Sequence, residues 1–138
     1  MADDMLNPSG YVSGSCLCGG VRFRVSAPLR PVVACHCTQC RKTSGHHVAA
    51  TRADNSRIEM LGDETLRWYR SSESAERGFC SRCGGNVFWR VVGSDGTSIM
   101  AGTLDAPTGI RLESHIYAAD AGDYYSIDDG VPVYPKGD

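Results

Sequence analysis

Residues 21–25, Val-Arg-Phe-Arg-Val, alternate apolar and basic side chains, the period-two pattern of a strand with one buried face, and Pro28 and Pro31 punctuate its end. Strand-like runs recur at 47–52, 65–70, 86–92, 98–102 and 111–117, separated by Gly, Asp, Asn and Ser clusters that favour turns. No long segment carries apolar residues at helical spacing. One short helical turn is predicted over residues 38–42, stopping at Gly45. The predicted class is mainly β. Residues 1–10, polar and small with no periodicity, predict a loose arm, and residues 11–138 a single domain. The acidic and aromatic tail at 121–132 is expected to pack on the body without regular structure.

Composition changes this picture in one respect. A chain of 138 residues, 41% hydrophobic and 22% charged, fits one small domain and excludes a two-domain enzyme. Leu, Ile, Val and Phe make up only about a fifth of it, so the core is thin and cross-links are expected to supplement burial. The net charge of -2 offers no basic face for nucleic acid. No apolar run approaches the roughly 18 residues of a membrane span, and the first residues do not read as a secretion signal. The expectation is a cytoplasmic protein with no nucleic-acid or membrane partner.

The cross-links are sought among seven cysteines: Cys16-x-Cys18, then 16 residues, Cys35-x-Cys37-x-x-Cys40, then 39 residues, Cys80-x-x-Cys83. An odd count in a reducing compartment disfavours disulfides, whereas clustered thiolates converge readily on a borderline cation such as zinc. A closed zinc site takes four protein ligands and an open one takes three, so seven cysteines divide as four plus three. One partition joins Cys37, Cys40, Cys80 and Cys83 in a ribbon and scatters the other three. The partition favoured by spacing joins Cys16 and Cys18 to Cys80 and Cys83, leaving Cys35, Cys37 and Cys40 as a compact open site. Strand alternation would put the sulfurs of Cys16 and Cys18 on one side. Arg41, Lys42 and Arg82 are candidate counter-charges for the thiolates. A redox enzyme of the methionine sulfoxide reductase type would need a cysteine outside the clusters, and all seven lie inside them.

Taken together, Gly14-Ser15-Cys16-Leu17-Cys18-Gly19-Gly20-Val21, Cys35-His36-Cys37-Thr38-Gln39-Cys40-Arg41-Lys42 and Phe79-Cys80-Ser81-Arg82-Cys83-Gly84 carry a resemblance. With His115-Ile116 and Asp128-Asp129-Gly130-Val131-Pro132, the chain resembles, over about residues 13–135, the glutathione-dependent formaldehyde-activating enzyme family, also called the centromere-protein-V-like domain. The resemblance implies a β-tent of small coiled antiparallel sheets stapled by two Zn2+ ions. It implies a structural zinc on Cys16, Cys18, Cys80 and Cys83, and an open, catalytic zinc on Cys35, Cys37 and Cys40. It further implies a carbon-sulfur lyase whose small thiol substrate is glutathione, added to formaldehyde to give S-hydroxymethylglutathione or a related adduct. The alternative is a non-catalytic zinc-binding module for protein interaction.

Three anionic ligands make a zinc a poor Lewis acid, so thiol addition to an aldehyde calls for a separate proton donor at the developing alkoxide. His36, His46 and His47 are the candidates nearest in sequence, each of which could equally be an exposed or hydrogen-bonded loop residue. Trp68 and Trp89, in alternating strand patterns, are expected to fill core.

Overall fold

The computed structural model describes residues 10–137, so the arm predicted over residues 1–10 lies outside them except for Gly10. Ten strands and one α-helix follow in order: β1 (Tyr11–Ser15), β2 (Arg22–Ser26), β3 (Val32–Cys35), α1 (Thr38–Ser44), β4 (Val48–Asp54), β5 (Ile58–Gly62), β6 (Leu66–Arg70), β7 (Ala75–Cys80), β8 (Asn86–Val91), β9 (Gly96–Met100) and β10 (Leu112–Ile116). The mainly β reading therefore holds. All six runs read as strands are strands within one or two residues at most ends, and the helical turn extends to seven residues. Gly45, at φ +86, closes α1 by donating its N–H to Arg41 O at 2.8 Å.

The strands form a three-stranded sheet, β1-β2-β5, and a seven-stranded sheet, β10-β3-β4-β9-β8-β7-β6. Pairing is antiparallel except between β10 and β3, which run parallel. Antiparallel pairing was expected throughout; β10 and β3 are far apart in sequence, which leaves ample chain for the crossover a parallel pair requires. The tail lacks regular structure, as expected, and packs on the body through His115: the His115 N–H donates to Pro132 O at 2.9 Å and Tyr134 N–H to His115 O at 2.9 Å.

One core lies between the two sheets. Val12, Phe23 and Val25 from the small sheet, with Val21 just before β2, meet Ala53, Val87, Phe88 and Ile99 from the large one. The Phe23 and Phe88 rings pack at 5.1 Å between centroids, and Trp68 stacks on Phe88 at 6.0 Å. Trp68 thus fills core as expected. The opposite face of the large sheet carries a second, smaller cluster of Cys40, Val48, Ala50 and Met100, against which Cys35, Cys37 and Trp89 pack. That face is where the fold leaves space.

Candidate metal centres and the adjoining cavity

The seven cysteines are reduced and gather into two groups, Cys16 with Cys18, Cys80 and Cys83, and Cys35 with Cys37 and Cys40. Within each group all ligand sulfurs lie within 4.8 Å of one another. Tetrahedral thiolates at about 2.3 Å from a zinc ion would stand roughly 3.8 Å apart. Cys16 and Cys18 sulfurs are separated by 3.7 Å, and Cys18 and Cys80 by 3.6 Å, so the residues present fit such an ion. Both clusters could hold a metal.

The four-thiol group is built from the β1–β2 turn and from the end of β7 with the turn that follows it. β1 ends at Ser15, so strand alternation does not explain how Cys16 and Cys18 converge; the β1–β2 turn does, with Cys16 N–H donating to Val21 O and Gly19 N–H to Cys16 O. Gly20 must be glycine there, because a Cβ would collide with the Thr65 hydroxyl. That hydroxyl lies 3.2 Å from the Cys80 sulfur, which also accepts from the N–H groups of Arg82 and Cys83 at 3.4 Å. Thr65 foremost, with those two backbone donors, holds the Cys80 thiol down at about 5. Arg82 Nε donates to Cys18 Sγ at 3.2 Å, the counter-charge anticipated for it. A cluster so supplied with donors is arranged for thiolates.

The three-thiol group sits where β3 runs into α1. Cys37 caps the helix, its sulfur accepting from Cys40 N–H at 3.3 Å. The interaction between the Cys35 and Cys40 sulfurs lowers the Cys35 thiol and raises that of Cys40, which burial raises further. Arg77 Nη2 lies 3.8 Å from Cys40 Sγ, while its Nε is buried without a partner. Arg77 was not anticipated. Arg41 instead donates to the backbone oxygen of Asp120 at 3.3 Å, and Lys42 is exposed, so neither supplies the expected counter-charge.

The three-thiol group opens onto a large space. Cys35, Cys37 and Cys40 line a cavity of about 670 Å³, together with Trp89, Met100 and Arg77; this is within the ordinary range for small-molecule sites. Trp89 is therefore cavity wall as well as packing. Tyr117, at φ +55, also lines the cavity, a backbone conformation that costs energy and recurs at functional sites.

None of the candidate proton donors His36, His46 and His47 lines it. His36, between two cavity-lining cysteines on an extended segment, turns the other way and is fully buried. Its Nδ1 lies 2.5 Å from Tyr125 Oη and its Nε2 2.8 Å from His115 Nδ1, while His115 Nε2 lies 2.7 Å from Asp129 Oδ2. An ionised Asp129 fixes the tautomers in sequence: His115 donates to Asp129, His36 to His115, and Tyr125 to His36. Burial, reinforced by the neighbouring histidines, pushes His36 down to about 4, so the ring stays neutral. The chain of hydrogen bonds ties the tail to β3 behind the thiols. His46 pairs with Tyr124 at 2.6 Å, and His47 Nδ1 is buried without a partner.

With this geometry in place, comparison with known proteins decides the family. The model of the glutathione-dependent formaldehyde-activating enzymes matches residues 11–120. The chain belongs to that family. A Halomonas elongata protein, assigned provisionally by name to the glutathione-dependent formaldehyde-activating enzymes, is 38% identical over 80 residues, 52% of this chain and 51% of its own. The matched part thus spans about half of that relative. An uncharacterized lyase of Schizosaccharomyces pombe is 25% identical over 115 residues, 83% of each chain. A Rhodobacter sphaeroides protein of known crystal structure shares the fold with a TM-score of 0.55 at 21% identity, covering 88% of this chain and 98% of its own. Among the described residues, no helix is long and apolar enough to cross a membrane.

Proposed function

We propose that the chain is a zinc-dependent carbon-sulfur lyase acting on a thiol–aldehyde adduct, such as S-hydroxymethylglutathione formed from glutathione and formaldehyde, in the reducing cytoplasm. The observation that carries this reading is the asymmetry of the two thiol groups: the three-thiol group lines the cavity and the four-thiol group does not. Cys16, Cys18, Cys80 and Cys83 would hold a structural zinc, and Cys35, Cys37 and Cys40 a second one with a position free. What a zinc ion supplies when bound by three thiolates is an open position that keeps a substrate thiol ionised near neutral pH.

The chain's own residues supply the rest. Trp89, Met100 and Val48 form an apolar wall beside the three thiols and exclude water from the reacting pair. In the addition direction the thiol sulfur bonds the aldehyde carbon, the carbonyl π pair moves to oxygen, and the proton the thiol gave up ends on that oxygen. Before protonation the oxygen is anionic. Arg77, whose guanidinium lines the cavity and brings Nη2 beside Cys40, is the donor placed to stabilise it, a role the histidines considered from sequence cannot reach from outside the cavity.

The test is exchange of formaldehyde between its free form and the glutathione adduct, followed by NMR with the zinc-loaded protein. Acceleration by the wild type and none by a folded C40S supports the reading. Equal rates with and without protein would leave the non-catalytic zinc module.

A further inference from the structure

The proposed reaction specifies a thiol but not what the thiol must carry, and the far end of the cavity bears on that. Four neighbours form one transverse row of the large sheet, Arg77 opposite Trp89, Trp89 opposite Ser98, and Ser98 opposite Arg52. All four side chains line the cavity. Along β4 the same face continues from Arg52 through Ala50 to Val48, which pairs with Cys35. Four residues of strand separate the Arg52 and Cys35 levels by about 13 Å. Arg30 enters from the segment before β3 and donates Nη2 to Ala50 O at 2.9 Å, which brings its guanidinium to the same wall.

Two arginines at one end of a largely apolar cavity are mutually unfavourable. Burial foremost, and then the charge of Arg52, lower the Arg30 pKa. Arg52 makes no hydrogen bond or ion pair among the described residues, and Asp120 is the one acidic residue on the described lining against three arginines. Arg77 is 6% exposed, with its Nε unsatisfied. Arg30 is partly offset by the charge of Glu113 and donates to Pro31 O and Ala50 O, whereas half-buried Arg52 has no such partner among the described residues, so the pair keeps an excess of positive charge suited to an anion. A carboxylate matches the planar fork of a guanidinium.

We propose that Arg52 and Arg30 form a carboxylate subsite at the Arg52 end of β4, away from the Cys35 level, so that the cavity selects thiols bearing a carboxylate over neutral thiols. The thiol end of this assignment rests on the proposed function; the carboxylate end rests on the arginines alone.

Calorimetric titration of the zinc-loaded protein separates the two. The probes are glutathione, its diethyl ester, which keeps the thiol and loses both carboxylates, and ophthalmate, which keeps both carboxylates and has methyl in place of the thiol. Glutathione is expected to bind at least about tenfold more tightly than the diester, a difference of about 1.4 kcal/mol. R52Q should weaken glutathione and ophthalmate by about that factor and leave the diester unchanged, with R52K retaining part of the affinity. R30Q should repeat the pattern should R52Q fail to fold by thermal melt. Ophthalmate binding as tightly as glutathione, still dependent on Arg52, would support the subsite while removing the thiol reading. Glutathione binding that ignores R52Q and R30Q, or an equal loss for acid and ester, would overturn the subsite and leave the thiol reading standing. Absence of binding by both glutathione and ophthalmate would also overturn it.

Discussion

The two cysteine groups are made of the same ligand on one small scaffold, yet their surroundings differ. Around Cys80, a hydroxyl and two backbone N–H groups already point at the sulfur, and Arg82 covers Cys18 from outside. Four thiolates would complete the tetrahedron of a zinc ion, and the group joins the β1–β2 turn to the end of β7 and the turn after it, hence the small sheet to the large one. Around Cys40 one thiol fewer is present, and the three thiols line a cavity with a buried arginine whose Nε has no partner among the described residues. Ligand count and neighbourhood therefore support the proposed division, in which one centre would hold the fold and the other would meet a small molecule.

Substitutions at the two centres should separate these roles most sharply. C80S removes a ligand from the centre that joins the sheets. A structural zinc contributes about 10 kcal/mol or more of folding energy, comparable with the whole stability of about 5–15 kcal/mol of a domain. The expected result is an unfolded chain by near-UV circular dichroism. C40S should leave a cooperative melt and one zinc per chain instead of two, read by elemental analysis. Equal loss of structure in both variants would erase the distinction.

A smaller effect is expected at Arg77. Loss of an oxyanion donor lowers turnover by about a hundredfold or more, so R77Q should fold, keep both metals and lose adduct exchange on that scale. Loss of the second zinc in R77Q would instead make the guanidinium a counter-charge to Cys40.

The smallest expected effect concerns the hydrogen-bonded chain behind the three thiols. His36 is neutral in the fold down to about 4, whereas in the unfolded chain it takes a proton near the ordinary value of about 6.5. The unfolded state binds more protons between those values, so this contribution is complete above about pH 6.5 and is lost as pH falls toward 4. Chemical denaturation of wild type and H36N should show the wild-type advantage shrinking across that window. A constant difference would mean that the ring is not kept neutral.

What could be read from sequence follows the range of each interaction. The cysteine groups were legible because each pair lies within a few residues and only a few chemistries need that pattern. The strands at 22–26 and 112–116 were legible through short-range patterning and flanking turns. β3 was not, since Val32-Val33-Ala34-Cys35 has no alternation to betray it, and β7 was obscured by Gly78 and by a buried Arg77 in an inward position. The cavity and the hydrogen-bonded chain escaped because they join residues remote in sequence: His36 meets His115 and Tyr125, which lie 79 and 89 positions away. His115 and Asp129 were noticed only as family motifs; nothing local marks them as partners. A charged residue at an inward strand position was the one sequence signal for Arg77, and it required β7 to be recognised first.

Zinc counted per chain before and after brief exposure to a chelator, with and without glutathione, distinguishes a closed centre beside an open one from two alike. Two zinc ions are expected, one removed quickly from the three-thiol centre, with glutathione slowing that loss and the other ion retained. Two ions leaving together, two that both resist the chelator, or a single ion from the start would contradict this expectation.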